Sequence, residues 1–261
     1  MSTEIWHATG FDGIFSRSKT EPLILTCECR RADDEYEERQ LVVKSPGHPG
    51  VLDVNLFSEL FGSLLAGEFR IKTTSPEIVA ITQDFIDSIK YLLPSTVQLR
   101  PGYGVGFGYS PPLTPLISDF KIPPSLRSQA TMIYAFDLLV SNPDRKRTNA
   151  NCSLQNGELV AFDFEEAFSF IENQSGFRPW MVSRLGIGAS HIFGQELKDA
   201  QPDWTPFIST LKLISEPKLD ALAKDFPPSW LVHRDQVFDH LLEAQARSNQ
   251  LHIELERSLR I

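Results

Sequence analysis

Hydrophobic and polar positions along this 261-residue chain fall into two regimes. Up to about residue 109, short β-branched and aromatic runs are punctuated by glycine, proline and charge, a pattern that predicts strands. Gly10-Phe-Asp-Gly-Ile-Phe-Ser16 reads as a strand entry with glycine turns, and Leu23 to Cys29 reads as a full strand. Gln40 to Lys44 is the next strand, cut off by Ser45-Pro-Gly-His-Pro-Gly50. Between them, Arg30 to Arg39 is dense in charge without periodicity, which predicts a solvated loop or hairpin tip. Together these segments predict at least three antiparallel strands. Leu56, Leu60 and Leu64, with Phe57 and Phe61, then mark one face of a helix. Asp53 is placed to cap it and Gly67 to close it in the left-handed conformation, with Glu59 as the acid inside it, on the flank of the apolar stripe. Glu77 to Ile81 predicts another strand, and Asp84 to Leu93 a short helix stopped by Pro94.

Gly102-Tyr-Gly-Val-Gly-Phe-Gly-Tyr109 alternates glycine with mostly bulky residues. A phosphate-cradling loop would need a helix start just after it, and none follows. The better reading is a strand with close backbone approach, or one that borders a ligand. Ser110-Pro-Pro-Leu-Thr-Pro115 stiffens what comes next, and beyond it the pattern becomes helical. A hinge here divides the α+β chain into residues 1–108, an antiparallel sheet with one key helix, and residues 109–261, mainly helical. After Ser125 a helix carries Leu126, Ala130, Ile133 and Val140 on one face, with Asp137 on that same face. A buried carboxylate is costly unless hydrogen-bonded, so Asp137 is expected to hold the backbone of the loop that follows. Later helices are predicted around Pro206 to Ile214 and Pro217 to Lys224, and a single long one from Asp235 to Leu259.

Composition narrows the function classes without choosing among them. At 41% apolar and 23% charged the chain is ordinary for a globular protein, and its net charge of −9 argues against coating nucleic acid or a membrane surface. No apolar run is long enough to span a bilayer, and the N-terminus lacks the basic and apolar regions of a signal peptide. Cys27, Cys29 and Cys152 show no zinc spacing and read as reduced thiols. A cytoplasmic protein is the expectation.

The chemistry concentrates in one stretch. The apolar helix runs into Ser141-Asn-Pro-Asp-Arg-Lys-Arg-Thr-Asn149, which holds Asp144 with Asn149 five positions on, and a hydrophobic strand then delivers Asp163. Asp-x-x-x-x-Asn followed by a strand-borne Asp is the order in which kinase sites place an acceptor for the attacking hydroxyl and two metal ligands. Phosphoryl transfer further needs a cation on the phosphate oxygens. Lys44 ends a Leu-Val-Val strand, and Glu59, fifteen residues later on the next helix, is its natural orienting anion. Asn142 is expected to serve as scaffold. Asn151 is open between a second metal ligand and a turn former, and Arg145-Lys-Arg147 between a solvated turn and a contact for an anionic substrate.

Phe136-Asp-Leu-Leu-Val-Ser-Asn-Pro-Asp-Arg145, with Asn149 and Asn151, resembles the Phe-Asp-x-x-Val-x-Asn-x-Asp-Arg signature of HipA-like kinases, especially their short, stand-alone bacterial branch. The resemblance extends upstream through Leu41 to Lys44, the Ser58-Glu-Leu60 helix and Phe107 to Ser110, and covers about two thirds of the chain. It implies a bilobal protein-kinase-like fold, with ATP and Mg²⁺ used to phosphorylate Ser or Thr of a protein, often as a translation-arresting toxin with an antitoxin or neighbouring-gene partner. It makes Lys44 the ATP lysine, Glu59 its partner, Asp144 the catalytic Asp, and Asn149 and Asp163 the metal ligands. Phe107 and Tyr109 then border the nucleotide. Ser18, Lys19 and Thr20 fall where the family keeps its phosphate-covering loop, although that loop is not glycine-rich here. Two departures stand out: Asp163-Phe-Glu165 replaces the usual Asp-Phe-Gly, and the N-terminal region of full-length HipA toxins is not present in this sequence. A small-molecule or lipid-headgroup kinase, or a nucleotide-binding adaptor without catalysis, are the alternatives.

Overall fold

The structure, a computed structural model, describes residues 4–15, 21–31, 35–48, 50–109, 114–171 and 178–260. Strands β1 (Ile5–Ile14), β2 (Leu23–Arg30), β3 (Tyr36–Lys44), β4 (Lys72–Thr73), β5 (Glu77–Ile81) and β6 (Gly102–Gly108) form in the first part of the chain. Five of them close a barrel in the order β1-β2-β3-β6-β5. Antiparallel pairing was legible in the alternation, but closure by a parallel pair was not: Ile5 lies opposite Ile78 and His7 opposite Ala80. Register slips in β1, between Ala8 and Gly10 and between Phe11 and Gly13, bend that strand round toward β5. In the charge-dense stretch Arg30 ends β2 and residues 36–39 open β3, with Arg30 opposite Tyr36 in the β2–β3 hairpin. Its charges satisfy one another at the barrel rim, where Arg31 pairs with Glu37 and both Arg31 and Arg39 lie over the Trp6 ring.

The inner face of the barrel carries Trp6, Leu23, Leu25, Cys27, Leu41, Val43 and Val79, all buried. The glycines of β6 permit close backbone approach, as expected. A Cβ on Gly104 would fall 2.5 Å from the Lys44 carbonyl oxygen, and one on Gly106 would fall 2.8 Å from Val79 Cγ2. Lys44 is thereby drawn tightly against β6, with Val105 as its register partner.

Helix α1 (Asp53–Glu68) follows the barrel's third strand, and its ends differ from expectation. Leu52 occupies the N-cap position and Asn55 Oδ1 accepts its N–H at 3.0 Å. Asp53 instead lies in the first turn and pairs with Arg100 at 2.5 Å. The left-handed residue after the helix is Arg70, at φ 58°, two residues beyond its last turn. On its buried face Phe57 and Phe61 stack with centroids 5.1 Å apart, and Phe61 stacks on Phe238 at 5.6 Å. Helix α1 therefore belongs to the large apolar core that runs on to Leu259, while the barrel and helix α2 (Gln83–Ile89) share a smaller core of their own.

Helix α3 (Arg127–Leu139) forms as predicted and buries Asp137 completely. It leads into a hairpin of β7 (Cys152–Gln155) and β8 (Glu158–Ala161), turned by Asn156 at φ 49° and Gly157 at φ 79°. That is the two-residue turn that suits hairpin twist. β4 adds to β8 in parallel, Lys72 opposite Val160. The helices α4 (Ile187–Ser190), α5 (Gly194–Lys198), α6 (Thr205–Leu211) and α7 (Glu216–Ala223) follow. The predicted long final helix is two: α8 (Arg234–Ala246) and α9 (Ser248–Ser258), separated at Arg247 by φ −106° and ψ 25°. α9 is tied to α3 by Tyr134 and Ser258, whose hydroxyl oxygens are 2.9 Å apart. Among the described residues no helix is long and apolar enough to cross a membrane.

Candidate active site

Four sequence-selected or neighbouring charges meet where β3, α1 and the chain after β8 converge. Lys44 Nζ lies 2.6 Å from Glu59 Oε2, 2.5 Å from Asp163 Oδ1 and 2.8 Å from Glu165 Oε2. Each partner is delivered by a different device. β3 carries Lys44 inward at its last residue. Glu59 is fully buried on α1, not at the helix flank where its spacing put it. Its second oxygen accepts the Phe164 N–H at 3.0 Å, so one carboxylate holds both the lysine and the chain next to Asp163. Gly62, one turn along α1, lets this happen: a Cβ there would stand 2.9 Å from Phe164 Cβ. Asp163 itself sits at φ 61°, a left-handed conformation that Asp tolerates better than most residues.

The electrostatics of this group are lopsided. Burial works against the Lys44 ammonium, but Asp163, Glu59 and Glu165 outweigh it and raise the lysine well above its ordinary range. Burial pushes Glu59 up to about 7 against the pull of Lys44. Burial opposes ionisation of Asp163 too, yet the Lys44 charge prevails and holds that carboxyl below its usual range.

The second group forms around Asp144. Asn149 Nδ2 donates to Asp144 Oδ2 at 2.6 Å, and Asn151 Nδ2 donates to the same oxygen at 3.1 Å. Lys146 Nζ stands 3.5 Å from the other oxygen, Oδ1. The Asp144 N–H donates to Asn142 Oδ1 at 3.1 Å, which gives Asn142 the scaffold role expected of it. Asn149 spends its amide hydrogens on Asp144, which leaves its carbonyl oxygen as the ligand atom it could offer. Asn151, at φ 42°, is a turn former that also orients Asp144.

Arg145 joins the two groups, and it is neither a solvated turn residue nor a substrate contact. It is fully buried, donates to the main-chain oxygens of Asn151 and Phe162, and donates through Nε to Asp137 Oδ2 at 2.6 Å. The Phe162 N–H also donates to the Asn151 oxygen at 3.0 Å, so the Asp144 loop and the Asp163 segment are laced together at the backbone. Asp137 thus reaches the loop's backbone mainly through Arg145 rather than directly. It also accepts from Asn142 Nδ2 at 3.1 Å and contacts His191 Nε2 at 3.0 Å. Burial alone would raise the Asp137 carboxyl; Arg145 and His191 outweigh it and hold it below its usual range. His191 Nδ1 accepts the Phe193 N–H at 3.1 Å, which fixes the tautomer that donates from Nε2, and burial keeps the ring's pKa low.

Phe107 and Tyr109 lie two and four residues past Val105. Phe107 is half-buried against the large core, while Tyr109 closes the strand through its N–H to Gln40 O at 3.2 Å. Ser18, Lys19 and Thr20 lie outside the described residues. His191 and Gly62 are the participants that the sequence did not single out, while Glu165 entered only as the acid in place of a glycine and Lys146 only within the basic triplet. Gly62 could have been noticed as a glycine inside a helix, where it needs a packing reason. His191 carried no local signal.

Glu59, Asp163 and Glu165 bring carboxylate oxygens within 4.8 Å of one another. Such a hard-oxygen set fits Mg²⁺. A cleft of about 490 Å³ opens elsewhere, between Phe69 to Lys72 and α6, and holds none of these residues.

A strand-end lysine paired with a helix glutamate, facing an Asp just past β8 and laced to an Asp-Asn loop, is an arrangement suited to phosphoryl transfer. The HipA-like kinase family profile matches residues 16–258, and the chain belongs to that family. Membership supports kinase activity. Among solved structures, the crystal structure of a Helicobacter pylori proinflammatory kinase, CtkA, is similar over 95% of this chain and 94% of that one, at 12% identity and a TM-score of 0.49. No curated protein matches the sequence.

Proposed function

We propose that the protein transfers the γ-phosphoryl group of ATP to a serine or threonine of a protein substrate, with Mg²⁺. The observation that carries the reading is the buried Lys44–Glu59 pair held against Asp163. In it, Lys44 binds the phosphate oxygens and Glu59 fixes the ammonium in place. Asp144 accepts the proton of the attacking hydroxyl, its carboxylate oriented by Asn149 and Asn151, with Lys146 beside it to meet developing negative charge. Asp163 and Asn149 would hold the metal ion, which when bound would neutralise phosphate charge. Phe107 and Tyr109 border the nucleotide.

The division into a barrel-bearing lobe, residues 1–108, and a helical lobe, residues 109–261, belongs to the same proposal. The barrel's separate apolar core supports it, as does the end of β6 at Gly108. Three buried, free cysteines are in keeping with a reducing cytoplasm. Family membership supports a role in growth control, as a toxin with an antitoxin partner.

Asp144→Ala tests the reading. Its carboxylate is half-buried at the loop rather than in the core, so the variant is expected to melt near the wild type. ATP-dependent labelling of protein should fall by about 10²–10⁴-fold, the range for a lost general base. Phosphopeptide mass spectrometry of cells expressing each form reads both the loss and the substrate. Labelling equal to wild type would remove Asp144 from the mechanism. Labelling of a small molecule or lipid instead of protein would move the reading to that class of kinase, and nucleotide binding without turnover would move it to an adaptor. Growth arrest by the wild type, absent with Asp144→Ala, is the outcome expected of a toxin.

A further inference from the structure

Lys44 has more counter-charge than one ammonium needs: three carboxylates lie 2.5 to 2.8 Å from its Nζ. Two of them have other duties. Glu59 also holds the Phe164 N–H, and Asp163 is the metal ligand of the reading above. Glu165 has neither of these duties; its carboxylate pairs with Lys44. Its placement is nonetheless built. The left-handed Asp163 turns the chain, Phe164 is seated on α1 over Gly62, and Asn55 Nδ2 donates to the Glu165 carbonyl oxygen at 3.3 Å. The Glu165 side chain is 18% exposed and has one more rotatable bond than Asp163. It can therefore leave toward solvent, whereas the Glu59 side chain is fully enclosed and the Asp163 side chain, 25% exposed, is shorter and serves the metal in the reading above.

A polyphosphate arriving at Lys44 would meet three carboxylates and one cation. We infer that Glu165 is an internal competitor for Lys44, a positioning residue that holds the ammonium in the nucleotide-free protein and must be displaced by phosphate. The inference rests on Lys44 being the nucleotide lysine. The competition weakens nucleotide binding, and more so for bare nucleotide than for its Mg²⁺ complex, because the bound cation cancels part of the repulsion.

Calorimetric titration with ATP, in EDTA and in Mg²⁺, compares the wild type with Glu165→Gln, which keeps size and removes charge. The expected result is about tenfold tighter binding by the variant in EDTA, with a smaller gain in Mg²⁺. Glu165→Ala should shift affinity in the same direction, and thermal melting confirms that both variants are folded. Unchanged affinity in a wild type that binds ATP overturns the competitor role and leaves the nucleotide assignment standing. Weaker binding by Glu165→Gln in Mg²⁺ also overturns it, by making Glu165 a ligand. No binding of ATP by any of the three proteins overturns the nucleotide assignment of Lys44 itself, and the competitor role with it.

Discussion

Two buried clusters of charge lie on either side of the Asn151–Phe162 backbone contact, and they are built on opposite principles. Around Asp137, one carboxylate meets one guanidinium and one imidazole held neutral, all three side chains fully enclosed. Both carboxylate oxygens have donors, and Arg145 spends Nη1 on two main-chain oxygens. Around Lys44, three carboxylates share one ammonium, and two of them, Asp163 and Glu165, are partly open to solvent. Arg145 Nη2 is buried without a hydrogen-bond partner, but the cluster is balanced in charge and enclosed, and it serves to fix backbone. An unbalanced, accessible one is suited to take up a cation and to exchange partners. Charge balance and access, more than burial, separate scaffold from site in this protein.

The sharpest break of that comparison is Asp137→Ala. It strands a buried guanidinium and removes the hub of the loop, so unfolding free energy should drop by about 3–5 kcal/mol, the usual cost of breaking a buried pair on one side. Urea denaturation measures this directly. Glu165→Gln, in the other cluster, should leave the urea midpoint close to wild type, because the Glu165–Lys44 pair is partly solvated and Lys44 keeps two carboxylates. If the two variants were destabilised alike, the distinction between scaffold and site would collapse.

Acid offers the next test, because histidines buried without charge belong to the enclosed side. His240 Nε2 donates to Leu139 O at 2.8 Å, its ring stacks on Phe170 at 3.9 Å, and burial lowers its pKa to about 4. The unfolded chain takes up that proton near the ordinary value of about 6.5. Stability from this group is therefore complete above about pH 6.5 and is lost as pH falls toward 4. The share lost between pH 7 and pH 5 is about 2 kcal/mol. His191, also lowered by burial, acts in the same direction. Urea midpoints at the two pH values should differ less for His240→Gln than for the wild type. An equal pH dependence would mean that the buried ring protonates without cost.

How far the sequence revealed these clusters depends on whether the partners were local. Lys44, Glu59, Asp144, Asn149 and Asp163 were recoverable because spacing along a strand, a helix and a turn is a local property. The Asn156-Gly157 turn between β7 and β8 is likewise a local hairpin signal. Barrel closure was not legible, since it depends on bulges in β1 that only acquire meaning once Ile5 meets Ile78. Arg145 read as part of a basic triplet, a solvated turn or a contact for an anionic substrate, because nothing nearby shows that Asp137, eight residues back, and two carbonyls will enclose it. His191 is 54 residues from Asp137, and no pattern links them. The split of the last helix at Arg247 was hidden because both halves share polar and apolar periodicity.

The smallest expected effect is also the most discriminating, because it acts on one cluster through packing alone. Gly62→Ala adds a methyl 2.9 Å from Phe164 Cβ and 3.3 Å from its Cγ, closer than carbon atoms approach without something shifting. Gly62 itself has an ordinary helical backbone, so alanine brings a small propensity gain of about 1 kcal/mol that offsets part of the clash. Overpacking of this kind costs about 1–3 kcal/mol, so the net loss of stability should be about 0–2 kcal/mol. The segment that must yield is Phe164, whose N–H sits on Glu59 and whose neighbours Asp163 and Glu165 both reach Lys44. Displacement there loosens the three-carboxylate cluster while Asp137, Arg145 and His191 keep their partners. ATP-dependent turnover should then fall by a larger factor than stability alone accounts for, at a temperature where the variant is fully folded. Turnover equal to wild type would show that the position of Asp163 tolerates a shift of a few tenths of an ångström, and that the close seating of Phe164 on α1 serves the core rather than the chemistry.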